Sequence, residues 1–207
     1  AMVYTTSYYA LKQRANLKSG ETLLVLGSSG GVGLTAVELG KLIGAKVIAA
    51  ASSDEKLEFV KQLKPDYLLN YNECDLKEAV KDLTEGRGAD VIYDPVGGDL
   101  FDQCCRCINW NGRLLVIGFT SGRIPSYKAN LALLKGSAMV GVFLGRFRKE
   151  EPQAYEQNFR ELLDMYREGK LNPIVTKSFA LEDFVDAFNI FNQRKAMGKV
   201  TLELKQE

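Results

Sequence analysis

The chain has 207 residues, of which 46% are hydrophobic, 10% aromatic and 26% charged, the profile of a globular protein of one large domain or one domain with an appendage. Its 27 Lys and Arg stand against 26 Asp and Glu, a net charge of +1 that offers no electrostatic footprint for nucleic acid or an anionic membrane. It has no histidine, which excludes from this chain Ser-His-Asp and Cys-His nucleophile systems, His-containing zinc sites and His general acids.

A helix is predicted over Val3–Asn16, from apolar or aromatic residues at Val3, Tyr4, Tyr8 and Leu11. The continuous apolar run Thr22–Gly27 reads as a strand buried on both faces. After the glycine-rich turn Ser28–Gly33, Val32, Ala36, Leu39 and Ile43 recur at helical spacing, Gly44 closes the helix, and Lys46–Ala51 is a second buried strand. Asp54 is the expected N-cap of a helix over Glu55–Leu63. Tyr67–Asn70 reads as a strand, Leu76–Leu83 as a helix, Asp90–Asp94 as a strand, Leu100–Ile108 as a helix, and Arg113–Phe119 and Met139–Leu144 as the last two of six strands. This alternation predicts an α/β fold, a Rossmann-type doubly wound parallel sheet of six strands. Beyond an amphipathic helix over Pro152–Glu168, the strand Ile174–Phe179, helix Leu181–Asn192 and strand Lys199–Leu204 read as a β-α-β tail belonging to a second structural unit.

No window approaches 18 uninterrupted apolar residues and no signal peptide is evident, so a cytoplasmic protein is expected. Cys104, Cys105 and Cys107 share one helix at a spacing that fits no two-clamp zinc pattern. With Cys74 they read as reduced thiols, and no metal site is expected.

The turn Ser28-Ser29-Gly30-Gly31-Val32-Gly33 follows a buried strand and opens a helix. In that context Gly30 and Gly31 let backbone N–H groups approach a pyrophosphate, at the positive end of a helix, while Gly33 permits close packing of helix on strand. Ser28 replaces the usual first glycine of the pattern. NAD binders place Asp or Glu at the end of the second strand, for the ribose 2′-hydroxyl. Here that stretch is Ala51-Ser52-Ser53, with Lys56 one helical turn on; hydroxyls and an ammonium suit a 2′-phosphate, so NADPH is expected over NADH.

The segments G-E-T-L-L-V-L-G-S-S-G-G-V-G-L-T-A-V, S-S-D-E-K, L-N-Y, D-V-I-Y-D-P-V-G-G, G-R-L-L-V-I-G-F and G-K-V-T-L, in this order from about Tyr4 to Leu204, together resemble the zinc-independent quinone oxidoreductases. These zeta-crystallin-like enzymes belong to the medium-chain dehydrogenase/reductase superfamily. The resemblance implies that Lys56 and Tyr71 hold the adenosine phosphate, with Arg194 a further contact from the tail. It implies that Val96-Gly97-Gly98, Gly118-Phe119-Thr120 and Phe143-Leu144 run along the ribose and nicotinamide, and that Thr6 lies in the segment beneath the nicotinamide. It divides the chain into an NADP-binding domain, 1–171, and a tail, 172–207, that in relatives completes the catalytic domain.

Intact members carry a GroES-like domain ahead of the helix that begins here at Val3, so catalytic residues are left unassigned. Ala1-Met2 reads as an added leader before a chosen start, or else the gene encodes only this portion. The implied function is the NADPH-binding part of an oxidoreductase passing hydride to a quinone or an α,β-unsaturated carbonyl, inactive when isolated. The alternatives are an enoyl-reductase domain of a polyketide synthase, or a non-catalytic NADPH-binding module acting as a redox sensor or RNA binder; the near-neutral charge speaks against RNA. The resemblance further implies a homodimer through the Met139–Leu144 edge strand.

Overall fold

The computed structural model describes residues 1–193 and 195–204. Six parallel strands, β1 (Thr22–Val25), β2 (Lys46–Ala51), β3 (Tyr67–Asn70), β4 (Ala89–Asp94), β5 (Ile108–Val116) and β6 (Ala138–Gly141), form one sheet in the order β3-β2-β1-β4-β5-β6. This is the doubly wound arrangement that the alternation of elements predicts.

Because successive strand residues point to opposite faces, each central strand feeds two cores. Leu23, Val25, Val47, Ala49, Val91 and Tyr93 face one layer, made by α1 (Met2–Tyr9), α2 (Gly31–Ile43) and α8 (Pro152–Arg167), which contribute Tyr8, Leu39 and Leu162. Leu24, Leu26, Ile48, Ala50, Ile92 and Leu114 face the other, made by α4 (Leu76–Leu83) and α5 (Gly98–Cys107), with Val80, Phe101, Cys104 and Cys107. At the end of the sheet that begins β1, Arg113 donates from both terminal guanidinium nitrogens to Glu21, at 2.8 and 2.7 Å. This bidentate pair ties β5 to the residue that opens β1.

Several boundaries differ from the sequence-based expectation. α1 runs into a π-helical turn over Ala10–Arg14. Ser53, not Asp54, caps α3 (Asp54–Val60): its backbone is extended (φ −161°) and its hydroxyl accepts the Lys56 N–H, while Asp54 already lies in the first turn. β5 starts at Ile108 and ends at Val116, earlier than expected at both ends. A helix predicted nowhere, α6 (Ala129–Lys135), precedes β6. β6 stops at Gly141 because the chain turns directly into α7 (Leu144–Glu150), with Phe143 at its N-cap.

The tail strands β7 (Val175–Ala180) and β8 (Lys199–Glu203) pair in parallel with one another in a separate two-stranded sheet. Between them a 3-10 turn over Leu181–Asp183 leads into α9 (Phe184–Asn192). Among the described residues, two hydrogen bonds moor the tail to the main body: Asn172 N–H donates to Glu38 Oε1 at 2.7 Å, and Gly198 N–H to the Ser29 carbonyl at 2.9 Å. The second lands on the glycine-rich turn itself. Among the described residues no helix is long and apolar enough to cross a membrane.

Candidate dinucleotide site

The turn between β1 and α2 is shaped by its glycines. A Cβ on Gly33 would stand 2.2 Å from the Gly27 carbonyl oxygen, so only glycine lets α2 sit this close to the end of β1. Gly27 itself takes a φ of +56°, and the Gly30 N–H returns to its carbonyl at 3.0 Å. Gly30 caps α2 without a side chain, and the first helical hydrogen bond is Leu34 N–H to Gly30 O. The N–H groups of residues 31–33, at the positive end of a 13-residue helix, have no partner within it.

This turn forms one wall of a 530 Å³ cleft beyond the carboxyl ends of β1, β2 and β4, where the strand order reverses and α/β sheets bind ligands. Gly30, Gly31 and Val32 line it, joined by Gly27 and Ser29. Ser52, Lys56 and Tyr71 line the end next to β2 and β3, and Val96 and Thr120 the opposite side.

At the β2 end, Lys56 Nζ donates to Ser52 Oγ at 2.8 Å, and Tyr71 N–H donates to the Ala51 carbonyl at 3.1 Å. Lys56 has no carboxylate partner among the described residues and is the one charged residue among those described that line the cleft. No Asp or Glu is among the described lining residues.

The opposite wall is organised by Asp94, the last residue of β4, which is 2% exposed. Its Oδ1 accepts the N–H groups of Val96 and Gly97, both at 2.8 Å. Burial pushes its carboxyl above the usual range, against the pull of those two donors. The loop after β5 then laces onto it: Thr120 N–H and Oγ1 each reach the Pro95 carbonyl at 3.1 Å, and Ser121 N–H the Val96 carbonyl at 3.0 Å.

The other expected site residues that are described stand outside the lining of this cleft. Ser53 spends its hydroxyl on the helix cap. Gly97 and Gly98 lie under the loop after β5, with Gly98 N–H donating to the Arg123 carbonyl at 3.1 Å and positive φ at both. A Cβ on Gly118 would touch the Pro95 carbonyl at 3.4 Å, and Phe119 packs beside Gly97 while remaining exposed. Thr6 faces along α1, its Oγ1 donating to the Met2 carbonyl at 2.9 Å. The hydroxyl that reaches the glycine turn is instead Ser7 Oγ, 3.0 Å from the Val32 carbonyl and 2.8 Å from both Thr35 Oγ1 and Tyr93 OH. Phe143, 73% exposed, and Leu144 sit beyond the end of β6. Arg194 lies outside the described residues.

Sequence reasoning missed Gly27, Ser29, Asn72, Pro95, Ser121, Phe191, Asn192 and Ala196 among the lining residues. Asn72 and Ser121 follow Tyr71 and Thr120 directly and are reachable by extending those segments. The three tail residues carry no local signal, because only the folding back of the tail brings them there.

A parallel sheet in this order, with a glycine-built turn at its switch point, defines a dinucleotide-binding protein of the Rossmann type. The family described as zinc-binding dehydrogenase matches residues 31–164, and the chain belongs to that family. It is 41% identical to the quinone oxidoreductase-like protein 2 homolog of Nematostella vectensis, an alignment covering 100% of this chain and 57% of that protein. It is 28% identical, over 99% of its length, to 9% of a phenolphthiocerol/phthiocerol polyketide synthase chain of Mycobacterium tuberculosis. Among solved structures, the Escherichia coli quinone oxidoreductase complexed with NADPH superposes with a TM-score of 0.90 at 25% identity, over 99% of this chain and 63% of that one. The chain thus spans less than two thirds of the length of these quinone oxidoreductase relatives.

The metal in the family's description does not fit the residues here. The chain has no histidine, and among the described residues no group of three Cys, Asp or Glu side chains could hold a metal ion. Cys104, Cys105 and Cys107 are buried along α5, and the thiols of Cys104 and Cys105 are pushed up, by the Cys107 hydrogen bond and burial in the first and by burial in the second. That favours the thiol over the thiolate a metal requires.

Proposed function

We propose that the cleft binds NADPH and that the chain is the cofactor-binding part of an oxidoreductase that reduces a quinone or an α,β-unsaturated carbonyl. The observation that carries this reading is the β2 end of the cleft, where Ser52 and Lys56 stand with no acid among the described lining residues. A carboxylate there would select the ribose hydroxyl of NADH; an ammonium selects the 2′-phosphate. In this reading the first-turn N–H groups of α2 hold the pyrophosphate, and Lys56, Ser52 and Tyr71 hold the adenosine phosphate. Arg194 adds a contact from the tail. Val96 and Thr120, supported by Gly97, Gly98, Gly118 and Phe119, flank the ribose and nicotinamide; Thr6, Phe143 and Leu144 border the nicotinamide end. The bound cofactor supplies hydride; the protein orients it and excludes water.

A charge-assisted contact to phosphate contributes on the order of 1.5–3 kcal/mol, so NADPH should bind about tenfold or more tightly than NADH. Calorimetric titration with each nucleotide tests this. Lys56→Ala should erode the preference, and Ser52→Asp should turn it toward NADH; equal affinities in the unmutated chain would overturn the assignment. With residues 1–171 as the cofactor domain and 172–207 completing a second one, we further propose that this chain alone turns over little quinone. Following NADPH absorbance with a simple quinone decides it.

The polyketide synthase match supports a second reading, an enoyl reductase, which comparing an α,β-unsaturated thioester with a quinone as substrates of the active full-length protein separates from the first. The reaction is proposed to need no zinc, which elemental analysis of active full-length protein checks. The edge position of β6, with Met139 48% exposed, supports pairing with a second copy, to be read by sedimentation. The free thiols fit a reducing, cytoplasmic setting.

A further inference from the structure

Asp54 stands two residues before Lys56, in the first turn of α3, and a mobile carboxylate there would be drawn to the ammonium. The structure shows a different arrangement. Asn70, the last residue of β3, donates from Nδ2 to Asp54 Oδ1 at 2.9 Å. The amide that does this is itself fixed, because Asn70 Oδ1 accepts the Asn72 N–H at 3.1 Å. Asn72 completes the brace by donating from Nδ2 to the Ser52 carbonyl at 2.8 Å. The end of β3 and the turn that follows it thus grip the turn after β2 at two points, the Ser52 carbonyl and the Asp54 carboxylate. Lys56 Nζ is left with a neutral partner, Ser52 Oγ, and Asp54 is absent from the cleft lining.

We propose that Asn70 is a specificity-positioning residue: by holding Asp54 at the β3 edge, it keeps a competing carboxylate away from Lys56 and from the 2′-phosphate. The inference rests on the NADPH reading of the cleft, and concerns residues that reading does not use. Its physical basis is that a carboxylate several ångströms from a doubly charged phosphate repels it even through water, and also offsets the charge of the Lys56 ammonium. The brace therefore acts on the phosphate and not on the rest of the nucleotide.

The test is a double-mutant cycle in the full chain, titrated calorimetrically with NADPH and NADH. Asn70→Ala should weaken NADPH binding by about fivefold, an effect that shrinks with added salt, and leave NADH binding unchanged. Combining Asn70→Ala with Asp54→Asn should restore NADPH affinity to within twofold or so of the unmutated chain, because the charge that Asn70 restrains is gone. Unchanged NADPH affinity in Asn70→Ala, an equal loss for NADH, or a loss that persists in the double variant would each overturn the proposal. An unmutated chain that binds both nucleotides equally overturns the NADPH reading as well. A selective chain with no coupling between Asn70 and Asp54 overturns this inference alone.

Discussion

β1 and β8 are both short parallel strands rich in Thr, Val and Leu, yet they live in different surroundings. Every residue of β1 is buried, with β2 and β4 on either side and helices on both faces. β8 has one neighbour, β7, and none of its residues is fully buried. Around it Phe184, Val185, Phe188 and Phe191 of α9 are all about half exposed or more. Apolar content decides that a segment forms a strand; the number of layers stacked on it decides how much free energy that strand contributes.

The contrast can be broken or sharpened by substitution. Leu24→Ala, in β1, should cost about 3–4 kcal/mol, because the cavity opens between the sheet and the α4–α5 layer, which cannot collapse into it. Gly33→Ala comes next, at about 2–3 kcal/mol, since its Cβ must displace the Gly27 carbonyl. It should also abolish nucleotide binding, which calorimetry on the folded variant would show. Normal melting and normal binding in the Gly33→Ala variant would mean that the turn is far more compliant than its contacts indicate.

Between body and tail in size lies the α1–α8 joint. Glu161 Oε2 accepts from Tyr8 OH at 2.6 Å and from Lys12 Nζ, and Glu161 Oε1 from Gln157 at 3.0 Å. Burial alone would raise its carboxyl, but these donors outweigh burial and hold it at about 2, below the usual 4.5. A depressed carboxyl stabilises the fold above its unfolded value, so that contribution is complete above pH 4.5 and is lost as pH falls through about 2. Glu161→Gln should cost about 1 kcal/mol at neutral pH, discounted for the partial exposure of the pair. The difference from the unmutated chain should vanish across that acid window in denaturant titrations. Smallest of all, Phe188→Ser in the tail should change stability by less than about 0.5 kcal/mol. A larger loss would mean that the tail is stabilised as the body is.

The same contrast governs what is legible in the sequence. β1 and β2 can be read because a strand buried on both faces must be apolar throughout, and α2 because Gly30 and Gly44 bracket a helical period. The cap of α3 cannot: Ser53 and Asp54 are both capping residue types, and only the extended backbone at Ser53 chooses between them. α6 escapes notice because Leu133 and Leu134 present no buried stripe; both are largely exposed. At the site, the glycine turn, Ser52 and Lys56 follow from local chemistry, and Tyr71 from the family resemblance. Phe191, Asn192 and Ala196 depend on a long-range return of the chain that no local pattern encodes.

That return has a thermodynamic corollary. Gly198 N–H is bonded to the carbonyl of Ser29, and Ser29, Phe191, Asn192 and Ala196 share one cleft. A ligand spanning the cleft touches the turn and the tail at once, so its binding and the docking of the tail favour each other by the same free energy. If only the docked form binds, ligand at a hundredfold excess over Kd holds the tail down by about 2.7 kcal/mol. The Gly198 amide would then exchange with solvent deuterium about a hundredfold more slowly. One backbone hydrogen becomes a gauge of occupancy at the far end of a sheet to which it does not belong.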